Sequence, residues 1–88
     1  MNVSYNKKFL KQLANLPKTH RIKIENFVFE NLINASSIQQ LGNIEKIQGY
    51  SDFYKVRFGV YRLGLQIKGE NIFVKTVLHR KEIYKFFP

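Results

Sequence analysis

The hydrophobic positions change period along the chain. Between Lys7 and Leu16, apolar Phe9, Leu10, Leu13 and Leu16 fall at i, i+1, i+4 and i+7, one stripe of an amphipathic helix. Asn6 stands where an N-cap oxygen accepts a free amide of the first turn. Pro17 breaks that helix and suits the opening of a second, predicted from Pro17 to about Leu32. Its buried stripe is Ile24, Phe27, Val28 and Leu32, with Lys18, Arg21, Lys23, Glu25 and Glu30 in water. The pattern predicts a helical hairpin with almost no loop. Ahead of it, Met1 to Tyr5 alternates as a short edge or joining strand.

From Phe53 the period falls to two, the spacing of strand side chains. Phe53 to Arg57 places Phe53, Lys55 and Arg57 on one face and Tyr54 and Val56 on the other. Val60 to Ile67 places Tyr61, Leu63, Leu65 and Ile67 together, opposite Val60, Arg62, Gly64 and Gln66. Turns fall at Phe58-Gly59 and at Lys68 to Asn71, where Gly and Asn accept positive φ. A third strand runs from Asn71 to Leu78, and Lys81 to Phe87 makes a final helical turn or two. Between hairpin and strands, Asn34 to Asn43 is small and polar, with Ser36 placed to cap one short turn, and Ile44 to Gln48 is a further short strand. The fold class is α+β: an N-terminal strand, a helical hairpin, then an antiparallel three- to four-stranded meander with a short C-terminal helix, all in a single domain over residues 1–88. If the helices cover the face of Tyr54, Val56, Leu63 and Leu65, then Lys55, Arg57 and Arg62 share the opposite, open face. Gly64 leaves room in the middle of that face for something to approach.

Charge sharpens this picture. Fifteen Lys and Arg against six Asp and Glu give a formal charge of +9 in 88 residues, which points to a polyanionic partner. The cations of the second half alternate with aromatics on strands, unlike a disordered basic tail. The absence of cysteine excludes disulfides and thiolate metal sites, and two isolated histidines, His20 and His79, are too few for a structural zinc site. His20, between charged helix residues, reads as exposed and inert. No apolar run is long enough to span a membrane, and Met1 to Leu10 lacks the apolar core of a signal peptide. A cytoplasmic, membrane-free protein without cofactors is the expectation.

The ordered set Phe9…Leu13…Leu16-Pro17-Lys18, Lys46…Gly49…Asp52-Phe53-Tyr54-Lys55-Val56-Arg57…Gly59…Tyr61-Arg62-Leu63 and Val77…His79-Arg80-Lys81…Tyr84 resembles the RelE/ParE toxin superfamily across essentially the whole chain. The resemblance implies the toxin of a type II toxin–antitoxin pair. RelE-like members enter the ribosomal A site and cut mRNA without a metal; ParE-like members share the fold and poison DNA gyrase. It also implies a cognate antitoxin, acidic and partly disordered, with the ribosome and mRNA as further partners, and a toxin that is monomeric alone. The residues matching the RelE-like site are Lys55, Arg57, Arg62, Arg80 and Tyr84, with His79 and Lys81 as further RNA contacts. Arg57 stands where some members carry a second lysine.

Metal-free RNA cleavage needs a proton taken from the ribose 2′-hydroxyl, stabilisation of the phosphorane charge and a proton given to the departing 5′-oxygen. Lys55, crowded by other cations, is the candidate base, with Tyr84 as rival or as a stacking surface. Arg62, whose planar fork matches phosphate oxygens, is the candidate for the scissile phosphate. Arg57 positions the backbone and Arg80 serves the leaving oxygen. A gyrase inhibitor needs no such set, and basic α+β modules also bind RNA without cutting it. Lys55 and Arg57 are equally what the solvated side of an edge strand shows, and Tyr84, near Ile83, Phe86 and Phe87, is equally a packing residue.

Overall fold

Each of these elements forms in the computed structural model, which describes residues 1–88, and the two periods sort into two layers. The strands are β1 (Asn2–Tyr5), β2 (Ile44–Lys46), β3 (Phe53–Phe58), β4 (Tyr61–Lys68) and β5 (Asn71–His79). They make one five-stranded sheet in the order β1-β5-β4-β3-β2. β2 to β5 are antiparallel neighbours, while β1 runs parallel to β5, with Asn2 opposite Asn71 and Tyr5 opposite Val74.

Helix α1 (Lys7–Ala14) and helix α2 (Lys18–Asn26) lie on one sheet face. Phe9, Leu13, Ile24, Val28 and Leu32 pack there against Val56, Leu63, Leu65, Ile72, Val74 and Val77, all essentially withdrawn from water. The stripe expected of the second helix is buried as a unit. That of the first is not: Leu10 remains 41% exposed, because a helix this short turns only Phe9 and Leu13 inward. Asn6 occupies the N-cap position in extended conformation, yet its side chain caps nothing; its backbone instead continues the β1 edge, the N–H donating to Val74 O.

The second helix does not keep one geometry. After Asn26 it widens into a π-helical segment, Phe27–Asn31, then closes as α3 (Leu32–Asn34). The Leu32 N–H reaches back to Phe27 O, which releases Val28 O from its ordinary α-helical donor. The Tyr5 hydroxyl donates to that carbonyl, tying β1 to the helix layer. Burial raises the Tyr5 pKa above its ordinary 10.0, since the phenolate is the form that desolvation penalises. Beyond, a 3₁₀ turn (Ile38–Leu41) has Ser37 at its N-cap position without a side-chain bond, and the Gln40 side chain accepts from the Ser36 N–H, so the capping expected of Ser36 is reversed.

At the middle of β5 the ladder carries an irregularity opposite Gly64 and Leu65. Gln12 of α1 serves it: its Oε1 accepts from the Thr76 hydroxyl at 2.7 Å and from the Val77 N–H at 2.9 Å. A helix side chain thus completes the β5 edge where β1 has already ended.

Two expectations about space are overturned. His20 is neither exposed nor idle. Its ring meets Tyr61 edge-on at 5.0 Å, and its Nδ1 is buried without a hydrogen-bond partner. A Cβ added to Gly59 would lie 2.8 Å from His20 Nε2, so this glycine is demanded both by its φ of +59° and by the imidazole beneath it. Gly64 does not hold a place for a ligand. The chain fills it with its own Phe87, whose ring would be 2.9 Å from a Cβ there.

Candidate functional site

The face away from the two long helices carries the candidate chemistry. Antiparallel register puts Glu45 opposite Lys55, Lys55 opposite Gly64, and Arg57 opposite Arg62. Directly opposed residues point to the same side of a sheet, so one carboxylate and three cations lie in adjoining rows. Helix α4 (Ile83–Phe86) folds over this face. Ile83 and Phe87 are its buried anchors, and Phe87 sits on Gly64 while meeting Phe53 edge-on at 5.4 Å. The residue between the anchors, Tyr84, stays 67% exposed and leans over Lys55. It is therefore not a packing residue.

Lys55 is the centre of the cluster. Its ammonium donates to the Tyr84 hydroxyl, lies 4.7 Å from the centre of the Tyr84 ring and faces Glu45 Oε2 at 3.8 Å. The Lys55–Glu45 contact is a charge pair without a hydrogen bond, and Glu45 is more than half exposed. Such a pair adds little to stability, of order 0–1 kcal/mol. Arg62 is fixed differently. Its Nη1 donates to Gly59 O at 2.8 Å and Tyr61 O at 2.9 Å, which anchors one arm of the guanidinium on the β3–β4 turn and leaves the other arm for a ligand. Glu45, Lys55, Arg57, Arg62 and Tyr84 together line a small cavity of about 60 Å³.

Four of the five residues expected to be catalytic, Lys55, Arg57, Arg62 and Tyr84, are thus brought together. Arg80 is placed close by without lining the cavity. Its backbone N–H donates to Val60 O at 2.7 Å, next to the turn that holds Arg62, and its side chain is exposed. His79, expected as a further RNA contact, does not line the cavity. It pairs with Tyr61 and shares that residue's helix-side face, its ring 6.1 Å from Tyr61, and its Nδ1 accepts from the Lys81 N–H at 3.1 Å. Lys81 is exposed in the following turn and does not line the cavity. The residue missed is Glu45. In Ile44-Glu45-Lys46 the alternation alone puts Glu45 opposite the apolar face; what hides its place in the cavity is the register with β3, set across a loop. No group of three or more His, Cys, Asp or Glu side chains is gathered anywhere in the chain.

This geometry has relatives. A family model described as the ParE toxin of the type II toxin–antitoxin system parDE matches residues 3–84. Toxin RelE3 of Methanocaldococcus jannaschii is 39% identical over 89 residues, spanning 100% of both chains. Among solved structures, a chain of the RelB–RelE antitoxin–toxin complex from Methanococcus jannaschii superposes with a TM-score of 0.78 at 38% identity, over 96% of this chain and 98% of that one. A chain of the intact Escherichia coli RelBE complex superposes with a TM-score of 0.64 at 26% identity, over 86% and 92%. Family match, full-length similarity and superposition agree: the chain belongs to the RelE/ParE family of type II toxins.

Proposed function

We propose that this protein halts translation by cutting mRNA in the ribosomal A site, without a metal, and that a cognate antitoxin silences it. The observation that carries the reading is the cavity in which an acid, a lysine, a tyrosine and two arginines converge on one exposed face. A gyrase inhibitor has no need of that convergence.

The roles follow from the contacts. Glu45 is the one carboxylate in the cavity and takes the proton of the ribose 2′-hydroxyl. The 2′-oxygen then bonds to phosphorus, and the free arm of Arg62, with Arg57 beside it, holds the charge that builds on the phosphorane oxygens. Tyr84 gives its hydroxyl proton to the 5′-oxygen as the P–O bond breaks, and Lys55, already donating to that hydroxyl, restores it. The proton held by Glu45 returns to Lys55 across the gap between them. The products are a 2′,3′-cyclic phosphate and a 5′-hydroxyl, and the proton balance closes within three side chains. This moves the base from Lys55, the candidate from sequence, to Glu45. Arg80, outside the cavity, contacts the RNA backbone.

The antitoxin reading has two supports. Relatives are found in RelB–RelE complexes, and the charge of +9 suits an acidic segment that folds as it binds. The outer edges of β1 and β2 have no neighbouring strand, so either can accept one. A cytoplasmic site of action follows from a ribosomal target.

The test is to map mRNA 5′ ends in cells expressing wild type, Glu45→Gln, Arg62→Ala and Tyr84→Phe. Wild type should give A-site cuts, and each variant should lose about 10²-fold or more of them while keeping its fold. The ParE-family match makes gyrase the alternative target. Blocked supercoiling with intact translated mRNA would replace the nuclease reading with that one.

A further inference from the structure

Beside the cation-lined cavity lies a larger one. A space of about 530 Å³ shares Glu45, Lys55 and Tyr84 with it and adds Gln48, Tyr50 and Phe87. That volume lies within the usual range for a small-ligand site. Its aromatic rings are unusually free: Tyr50 is 49% exposed and Tyr84 67%.

Tyr50 is exposed but braced. Its ring stands edge-on to Phe53 at 5.8 Å and 88°, and Phe53 stands edge-on to Phe87 at 5.4 Å and 84°. The loop beneath is pinned at both ends: the Ile47 N–H donates to Phe53 O at 2.8 Å and the Tyr50 N–H donates to Ile47 O at 3.2 Å, with Gly49 at φ +88° making the turn. A flat ring held this way loses little freedom when something stacks on it. Beside it, the Gln48 amide has no partner within the chain and offers both a donor and an acceptor. A braced ring, a free amide and an adjoining phosphate-binding cluster are what an unstacked nucleobase needs.

We propose that this space is the subsite for one unpaired nucleobase next to the scissile phosphate, stacked on Tyr50 and read along its edge by Gln48. The proposal rests on the nuclease reading and adds to it a determinant of which sequence is cut. Neither Tyr50 nor Gln48 belongs to the proton-transfer set, so their substitution changes binding and choice without removing the chemistry.

Two experiments test it. In ribosome-dependent cleavage, Tyr50→Ala should lower kcat/KM by about 5- to 150-fold, the worth of one stacked base, mostly through KM. Tyr50→Phe should stay near wild type. Gln48→Ala should flatten the base preference at one position flanking the cut. Separately, a six-nucleotide single-stranded RNA carrying a 2′-deoxy sugar at its third position is titrated into the free protein and followed by aromatic and amide NMR. Tyr50 ring protons and the Gln48 side-chain amide should shift together with Lys55 and Arg62. Shifts confined to the cation cluster, or a Tyr50→Ala protein as active and as selective as wild type, overturn the subsite. If Tyr50 and Gln48 shift but wild type cuts nothing, the subsite stands and the nuclease reading falls.

Discussion

Removing the Phe87 ring should disable the site without unfolding the protein. Helix α4 has two buried anchors, Ile83 and Phe87, and only four helical residues of its own. Phe87 is 6% exposed, and its ring fills the space above Gly64. Truncating a buried Phe to Ala typically costs about 3–5 kcal/mol. About 3 kcal/mol already changes a docked-to-undocked ratio by roughly 10²-fold. So short a helix, held at two points, yields that loss locally. The Phe87→Ala protein should therefore stay folded, its global unfolding free energy falling by no more than α4 docking contributes, while the Phe87 N–H bond to Ile83 O loses hydrogen-exchange protection. Tyr84 should leave Lys55 at the same time, seen as loss of NOEs between the two side chains. Gly64→Ala approaches the same contact from below, with a Cβ 2.9 Å from the ring, and should undock α4 as well. The cycle between them is the decisive part. Once the ring is gone the closest contacts of the added methyl go with it, so Gly64→Ala/Phe87→Ala should be no worse than Phe87→Ala alone. Additive losses, or Tyr84 still resting on Lys55 in Phe87→Ala, would show that something other than this contact places α4.

Three further outcomes are expected. Because the Tyr5 pKa is raised in the folded state, native protein holds a proton that unfolded chain releases, so stability is full below about pH 10 and falls as pH rises through the folded pKa; Tyr5→Phe should remove that alkaline slope, at a cost of about 0.5–1.5 kcal/mol for the lost bond to Val28 O, as urea midpoints across pH 8 to 11 would reveal. Gln12→Leu strands the buried Thr76 hydroxyl and the Val77 N–H together, and should cost about 1–3 kcal/mol for each group left unpaired; an unchanged urea midpoint would count against the edge-completing role. Gly59→Ala should destabilise by at least about 1 kcal/mol, since it meets both a left-handed backbone and the His20 ring, and pairing it with His20→Ala should recover the steric part only, in thermal unfolding of all three variants.

Much of this was legible because local rules sufficed. Ile24, Phe27, Val28 and Leu32 are buried as a helical stripe predicts, and alternation across a tight hairpin at Phe58-Gly59 was enough to set Lys55, Arg57 and Arg62 on one face. The failures that bear on the site are nonlocal. Glu45 joins the site through a register that depends on the loop between β2 and β3. The occupant of Gly64 comes from a residue 23 positions later, in another element. His20 looks like one more polar helix residue until the β3–β4 turn is seen to rest on it. His79 stays out of the cavity because pairing with Tyr61 sends it to the other side of the sheet. The π-helical segment has no signature in Phe27–Asn31 that periodicity would catch.

The parallel seat of β1 also bears on when a ribosome makes the protein whole. Asn2 finds its partner Asn71 only 69 residues further along, and every cavity-lining residue lies from position 45 onward, Tyr84 last. A nascent chain can wind its helical hairpin early, but its first strand must wait, unpaired, for the sheet's far half. A ribosome must thus have polymerised nearly the whole chain before the cavity can assemble.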